Sequence, residues 1–370
     1  MRYPFLDLRQ SDAALADELK EAACRVIESG RYIHGEECDA FERELAAAVG
    51  TSEAVGVSNG LDAIRLIFRA YMELGNLMPG DGVIIPANTY IASVLPVSEL
   101  GLRPILVEPD SDTMNLDFNL ASRHFDDARA IMCVHLYGTP AWDAETISEA
   151  ADRGMLVIED NAQAIGARAA EEGLNGDNRT GSLGHASAMS FYPTKNVGAI
   201  GDAGAVTTSD PELAATVRAL ANYGSDRRYH NIFKGYNCRL DEIQAAMLRV
   251  KLRHLDEITR RRNRIARIYD SAISNPEIHK PRIFEDMTQV WHQYVIRSRE
   301  RDAFREYLAS NGVGTDIHYA VPPHMQPCYR DLCHGALPLT ELLASEVVSL
   351  PIAHVSEEDA AEIASIINNF

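Results

Sequence analysis

Cysteine is scarce in this sequence, and long apolar runs are missing. The 370 residues include 6 cysteines without repeated close spacing, which argues against a disulfide framework. The apolar runs are too short to cross a bilayer, and the first residues lack the pattern of a secretory signal peptide. These absences predict a cytoplasmic protein in a reducing environment, with no membrane as a partner.

Basic residues are fewer than acidic residues. The chain carries 54 acidic residues against 35 Lys and Arg, which gives a formal net charge of −19. Such a surface repels nucleic acid and anionic lipid, so we expect neither as a partner. An anionic substrate would need basic groups gathered in its own cleft.

Several patterns that identify common enzyme classes do not occur. There is no GxxxxGK[ST] loop, HExxH pair or GxSxG turn, so the P-loop, zincin and α/β-hydrolase classes lack support. Gly198, Gly201 and Gly204 resemble a dinucleotide-binding loop. They precede a strand-like run at 205–207, whereas that loop follows a strand and opens a helix. We therefore interpret these glycines as turns.

One cluster admits two interpretations. Cys328, Cys333 and His334 lie close together and could be metal ligands or ordinary loop residues. No CxxC pair accompanies them, which favours the loop interpretation, and we expect no bound metal.

The first half of the chain alternates strand-like and helical segments. Apolar, β-branched runs predict strands at 55–57, 83–86, 104–107, 130–135, 155–158, 186–191 and 205–207. Helical patterns lie at 11–29, 62–74, 91–100 and 144–153, with Ser11 expected to cap the first helix and Gly30 to end it. This alternation predicts an α/β protein with a mainly parallel sheet.

The pattern changes after residue 240. A long helical stretch at 241–274 precedes a strand at 291–298 and a helix at 302–310. We predict a large domain at 1–245 and a smaller C-terminal α+β domain at 246–370, joined by the long helix.

The segment SFYPTKN at 190–196 places a lysine just after a predicted strand. Surface lysines usually lie on charged helix faces, but Lys195 has aromatic, Pro and small neighbours, which indicates a packed loop. Burial disfavours the charged amine, and a neutral amine can form a Schiff base with an aldehyde. Ser190 is near enough in sequence to hydrogen-bond a phosphate on the same ligand.

A second segment, EDNAQA at 159–164, follows a buried strand. Asp160 should lie at the carboxyl end of that strand, where ligands gather in open α/β sheets. A carboxylate there can pair with a protonated pyridine nitrogen, and Gln163 can reach a phenolic oxygen on the same ring. The alternative is a solvated acid at a strand end, which is common.

Two further segments can hold parts of one ligand. Gly60 and Leu61 stand at a predicted helix start, where backbone N–H groups form a phosphate site, although many helices begin this way. Tyr90 follows a strand and could stack on a flat heteroaromatic ring. An aromatic residue at such a position otherwise belongs to the core.

Together these segments resemble the DegT/DnrJ/StrS family of sugar aminotransferases, a branch of the fold-type-I pyridoxal-phosphate enzymes. The resemblance covers nearly the whole chain and is carried by motifs in the family's order: SGRYIHG at 29–35, VHLYG at 134–138, EDNAQ at 159–163, YPTKN at 192–196, GYNCRL at 235–240, HY at 318–319 and SLP at 349–351. It implies a large, mainly parallel seven-stranded sheet and pyridoxal 5′-phosphate as cofactor.

The resemblance also implies roles by position. Lys195 would hold the cofactor and move the proton, Asp160 would bind the pyridine nitrogen, and Gln163 would bind the phenolic oxygen. Tyr90 would stack on the ring, whereas the phosphate would be bound by Gly60, Leu61, Ser190 and, from the neighbouring subunit, Asn237. A homodimer with two shared active sites follows. Leu61 departs from the threonine that many members carry, which leaves only backbone N–H contacts at that position.

Among these enzymes the chain looks most similar to those that form 3-amino-3,6-dideoxyhexoses on dTDP, with glutamate as donor. The residues expected to face the nucleotide sugar are Tyr32, His318, Tyr319, His324, Arg228 and Lys234, with Arg31 as a further cation for the diphosphate. A 4-keto sugar, a free cyclitol or keto sugar, and a non-catalytic regulator with the same fold remain as alternatives.

Overall fold

A seven-stranded sheet forms the centre of the first part of the chain. The computed structural model describes residues 1–332 and 335–370, without the side chain of Ser11. The strands are β1 (Glu53–Val57), β2 (Gly82–Pro86), β3 (Arg103–Val107), β4 (Ala130–Val134), β5 (Leu156–Asp160), β6 (Ala186–Ser190) and β7 (Gly204–Thr208). Their spatial order is β1-β7-β6-β5-β4-β2-β3. Pairing is parallel from β3 to β6, whereas β7 runs antiparallel to both neighbours. The predicted α/β fold with a mainly parallel sheet is confirmed.

The strands are mostly buried because both faces of the sheet are covered. All five residues of β2 are buried. Val83 and Ile85 face one core, whereas Ile84 faces the other, as the two-residue period of a strand requires. The covering helices include α3 (Glu36–Val49), α4 (Gly60–Glu73), α5 (Leu95–Glu99), α6 (Phe118–Ala121), α7 (Ala144–Asp152) and α8 (Pro211–Ala221).

The N-terminal helices differ from the prediction at one end. The chain forms α1 (Leu8–Asp12), a 3₁₀ turn and then α2 (Ala16–Ser29). Asp7 caps α1 by accepting from the Arg9 N–H at 3.0 Å, so Ser11 lies inside a helix and the predicted Ser11 cap is wrong. Gly30 does end α2, with φ +64.

The predicted long helix at 241–274 is interrupted. It consists of α9 (Glu242–Arg253) and α10 (Leu255–Ala272), which meet at His254. Beyond α10 lie β10 (Ile278–His279), β11 (Tyr294–Ser298), α11 (Arg301–Ser310), α12 (Pro338–Glu346), β12 (Val347–Leu350) and α13 (Glu357–Ile367). β11 is the central strand of a three-stranded sheet, and a second apolar core packs around it, with Tyr3 from the N-terminus. The domain limits 1–245 and 246–370 stay a prediction.

Two local departures have backbone causes. The strand predicted at 291–298 begins only at Tyr294, because Trp291 has φ +46 and cannot continue a strand. The helix predicted at 91–100 is a 3₁₀ turn followed by the short α5. Between α8 and α9, the strands β8 (Ser225–Arg227) and β9 (His230–Asn231) form a small hairpin. No helix in the described part of the chain has the length and apolarity needed to span a bilayer.

Candidate active site

The lysine singled out in the sequence lies on a tight loop between β6 and β7. The loop is closed by hydrogen bonds from Lys195 N to Tyr192 O (2.8 Å) and from Ala199 N to Phe191 O (2.8 Å). Asn196 anchors it further, because its Nδ2 donates to Val290 O at 2.9 Å. The loop therefore holds the lysine in a fixed position at the carboxyl end of β6.

The surroundings of Lys195 lower the pKa of its amine. Some solvent access remains, but the protein packed around the amine lowers the pKa from 10.5 to about 8. Burial is the main cause, and the negative charge of Asp160 opposes it by raising the pKa. A substantial fraction of the amine is thus neutral near physiological pH, unlike that of a surface lysine.

Asp160 ends β5 beside this loop and is almost fully buried. Its Oδ2 accepts from Ser93 Oγ at 2.7 Å, and its Oδ1 accepts from Ala162 N at 3.1 Å. Ser93 is in turn 2.8 Å from Thr89 Oγ1. These contacts orient the carboxylate, and they exclude the interpretation of Asp160 as a solvated acid. Sequence reasoning did not identify Ser93.

Gln163, three residues after Asp160, hydrogen-bonds to two tyrosines. Its Oε1 accepts from Tyr137 N at 2.7 Å, and its Nε2 donates to the Tyr319 hydroxyl at 3.0 Å. The Tyr319 ring lies against the Tyr90 ring, with centroids 4.8 Å apart and planes tilted by 32°. The structure thus brings together four of the predicted site residues: Asp160, Gln163, Tyr90 and Tyr319.

The predicted phosphate-binding residues meet at the start of α4. A Cβ added to Gly60 would lie 2.6 Å from Ser190 Cβ, so only glycine permits this approach. Asn59 caps the helix, since its Oδ1 accepts from Asp62 N at 2.8 Å. Helix α4 spans 14 residues, and its free N–H groups can bind an anion beside the Ser190 hydroxyl. Leu61, next in the chain, can offer only its backbone N–H.

Two histidines lie close to the lysine from the C-terminal half. His318 Nδ1 is 2.8 Å from Ser349 Oγ, and its carbonyl oxygen accepts from the Tyr137 hydroxyl. Burial and the charge of Lys195 lower the pKa of His318, although the charge of Asp316 opposes them. His292 is 6 % exposed, and burial followed by the Lys195 charge holds its pKa well below the usual value. Sequence reasoning assigned no role to His292.

The remaining predicted substrate residues differ in how much solvent reaches them. Tyr32 is 55 % exposed, and Arg31 is exposed beside it. His324 is buried, with Nε2 3.4 Å from Glu341 Oε1.

The hairpin region holds the other three predicted residues, Arg228, Lys234 and Asn237, all of which are exposed. Arg228 follows β8, and its guanidinium lies 4.8 Å from the centroid of the Tyr229 ring. Because all three side chains are exposed in the single chain, they do not form an enclosed site there. The role of Asn237 in a partner subunit stays a prediction.

The described residues contain no group of three or more His, Cys, Asp and Glu side chains that could hold a metal ion. Of the three residues considered as metal ligands, Cys328 is an exposed free cysteine. Cys333 and His334 lie outside the described residues.

The comparisons with known proteins agree along the whole chain. The profile of the DegT/DnrJ/EryC1/StrS aminotransferase family matches residues 13–368. A dTDP-3-amino-3,6-dideoxy-alpha-D-galactopyranose transaminase of Aneurinibacillus thermoaerophilus is 47 % identical over 99 % of both chains. A dTDP-3-amino-3,4,6-trideoxy-alpha-D-glucose transaminase of Streptomyces venezuelae is 44 % identical over 98 % of this chain and 94 % of its own.

A solved structure is similar over the same length. The S. venezuelae DesV structure, in complex with a ketimine intermediate, superposes with a TM-score of 0.93 at 43 % identity. The match covers 100 % of this chain and 98 % of that one. The fold-type-I prediction is thereby confirmed.

Proposed function

Because this chain belongs to the DegT/DnrJ/EryC1/StrS aminotransferase family, as its sequence predicted, we propose that it transfers an amino group to the keto carbon of a nucleotide-linked sugar. The cofactor is pyridoxal 5′-phosphate. The observation that carries the proposal is the meeting of a lysine of lowered pKa, an oriented carboxylate and a glycine-lined helix start at one end of the sheet.

The residues present fit this cofactor at each of its functional groups. Gly60 and Ser190 form a cradle at the start of α4 that suits a phosphate. Asp160, oriented by Ser93, suits a protonated ring nitrogen, and the Gln163 amide suits a phenolic oxygen. The Tyr90 ring, half exposed beside Tyr319, can cover the face of a planar ring.

When bound, pyridoxal phosphate supplies an aldehyde and a ring that withdraws electrons from the amino carbon. Lys195 contributes a neutral Nζ that can add to the aldehyde, and the same atom can then accept and return a proton. A pKa of about 8 suits both tasks, since the amine exchanges protons readily near neutral pH. Asp160 would pair with the ring nitrogen and favour its protonated form, and the hydrogen bond from Ser93 orients Asp160 for that contact.

We propose a dTDP-3-keto-6-deoxyhexose as the acceptor and glutamate as the donor. The names of the two relatives above support the 3-position and the dTDP carrier. The product would serve a surface glycan or a secondary metabolite. Tyr32, Arg228, Lys234 and His318 are the residues we expect near the sugar and diphosphate, and His324 is a weaker candidate because Glu341 already contacts it.

We also propose a homodimer in which Asn237 reaches the phosphate of the partner's cofactor. The exposed hairpin after α8 supports this arrangement, because Tyr229 is 87 % exposed and Ile232 50 % exposed in the single chain. A cytoplasmic location fits the proposed substrates.

The acceptor is tested directly by incubating the enzyme and glutamate with dTDP-3-keto-6-deoxyhexose and, separately, with the 4-keto isomer. Formation of an amino sugar from the 3-keto isomer supports the proposal. Turnover of the 4-keto isomer alone would refute the proposed position and leave the aminotransferase activity intact. No turnover of any keto sugar, together with no cofactor uptake, would favour the non-catalytic regulator.

A further inference from the structure

One arginine beside the site is buried without an acidic partner. Arg262, on α10, is 5 % exposed, and burial lowers its pKa from 12.5 to about 10. Within residues 1–332 and 335–370, its guanidinium forms no ion pair: its hydrogen bonds go to backbone carbonyls, and the one charge that shifts its pKa is that of Arg261. A buried charge without a counter-charge is costly, so its retention calls for a function.

Only one of the three guanidinium nitrogens of Arg262 donates hydrogen bonds to the described residues. Nη1 donates to Trp291 O at 2.9 Å and to His292 O at 3.2 Å. The other two nitrogens, Nε and Nη2, make no hydrogen bond to the described residues. Arg262 also lines two cavities, of about 70 and 160 Å³; Thr194 borders both, and Lys195 borders the smaller one.

The larger cavity combines apolar walls with polar groups next to the lysine. Its polar lining includes Thr194, Arg262, His292, Gln293, Asp316 and His318. His292 has a buried Nδ1 without a hydrogen-bond partner and lies close enough to Lys195 to feel its charge. A water molecule occupies about 30 Å³ of liquid, so the cavity has room for a small charged group.

The charges around this cavity favour an anion at its inner end. Among the described residues, Asp316 is the one acid that lines it; its side chain is 57 % exposed, and its Oδ2 lies 4.0 Å from His318 Nε2. Arg262, His292 and Gln293 are its buried polar members, and only Arg262 carries a permanent charge. A carboxylate bound among the buried residues would meet the Arg262 guanidinium and, in the tautomer with Nδ1 protonated, the His292 N–H, whereas Asp316 lies at the exposed part of the lining.

We propose that Arg262 and His292 form the subsite for a carboxylate of the amino donor. Resting on the proposed function, this inference adds the recognition of an α-amino or dicarboxylic acid beside Lys195. The amino donor and the keto sugar must bind beside the same lysine in turn. Because the keto sugar has no carboxylate, this subsite would recognise the amino donor alone. Arg262 then has two tasks, since it also fixes the 291–292 turn that carries His292.

The test uses glutarate, a dicarboxylate without an amine, titrated calorimetrically into the holoenzyme. Wild type should bind it, and Arg262→Gln should weaken binding at least tenfold, which corresponds to about 1.4 kcal/mol. Arg260→Gln is the matched control: it makes the same change two residues away on α10, at an exposed arginine whose Nε donates to Asp256 O. Its affinity should stay within about twofold of wild type.

A second variant leaves the arginine and its carbonyl contacts intact. Ala353 borders both cavities, and Ala353→Leu should fill the space and weaken glutarate binding as strongly. This variant decides the question if Arg262→Gln fails to fold. Glutarate binding by either folded variant within twofold of wild type would overturn the proposal.

Kinetics separate binding from a purely structural role. Arg262→Gln should raise the KM for the amino donor at least tenfold and leave the KM for the keto sugar nearly unchanged. A structural role would impair both half-reactions alike, which would overturn the proposal. If wild type transfers amino groups but does not bind glutarate, this inference alone fails. If wild type transfers none, the proposed function fails.

Discussion

Replacing Lys195 by methionine should stabilise the cofactor-free protein while it removes activity. The folded chain keeps the amine in surroundings that lower its pKa from 10.5 to about 8, mainly by burial. At neutral pH the amine is mostly protonated in both the folded and the unfolded chain, and the folded state bears the cost of the buried charge. Methionine has a similar length without that charge.

The magnitude follows from the two pKa values. One pKa unit is worth about 1.36 kcal/mol, so a fall from 10.5 to about 8 disfavours the charged folded state by roughly 3 kcal/mol. Solvent that still reaches the side chain reduces this cost. We therefore expect Lys195→Met to raise the free energy of unfolding by about 1–3 kcal/mol near neutral pH.

The pH dependence distinguishes this cause from better packing. Below about pH 8 the full cost is present, and between about pH 8 and pH 10.5 the unfolded chain binds a proton that the folded chain does not, so wild-type stability rises. Denaturant unfolding at about pH 7 and pH 10 should show the advantage of Lys195→Met falling by more than half. Lys20→Met, at a surface lysine paired with Asp17, is the control and should change stability by less than about 0.5 kcal/mol. A wild type that is more stable at neutral pH, or a pH-independent difference, would refute the reasoning.

Three further predictions concern the cofactor and the assembly. Asp160→Asn should weaken cofactor binding by about 10- to 100-fold, since a charge-assisted hydrogen bond contributes about 1.5–3 kcal/mol; titration of the cofactor-free protein measures it, and unchanged affinity would contradict the assignment. Gly60→Ala should also weaken cofactor binding at least about tenfold, because its Cβ would lie 2.6 Å from the Ser190 Cβ. Mixing inactive Lys195→Ala subunits with an inactive Asn237 variant should restore some activity, since one hybrid site is intact; no rescue after verified subunit exchange would place Asn237 in its own chain's site.

The strands could be predicted because burial on both faces leaves a clear mark in the sequence. In β2 each of the five residues is buried, so an unbroken apolar run between turns was enough. The interruption of the helix at His254 left no such mark, because the residues around it have ordinary helical composition. Trp291 has φ +46 and delays the start of β11, which residue type alone does not indicate.

In the site, residues that belong to a recognisable sequence motif could be predicted. Residues that contact the site from a distant part of the chain could not. Asp160 ends β5, and Lys195 lies on the loop that follows β6. The carboxyl ends of neighbouring parallel strands mark a ligand site. Ser93 binds Asp160 from 67 positions away, so only the folded chain brings the two together. The same holds for Arg262, whose role depends on the turn at His292.

The central claim is that this chain moves an amino group with Lys195 as the acting amine. The most direct measurement uses ¹⁵N-labelled glutamate with dTDP-3-keto-6-deoxyhexose and follows the label by mass spectrometry, in wild type and in Lys195→Ala. We predict labelled amino sugar from wild type and none from the variant, whose circular dichroism should match wild type. Equal label transfer by Lys195→Ala, or none by cofactor-loaded wild type with any keto sugar offered, would contradict the account.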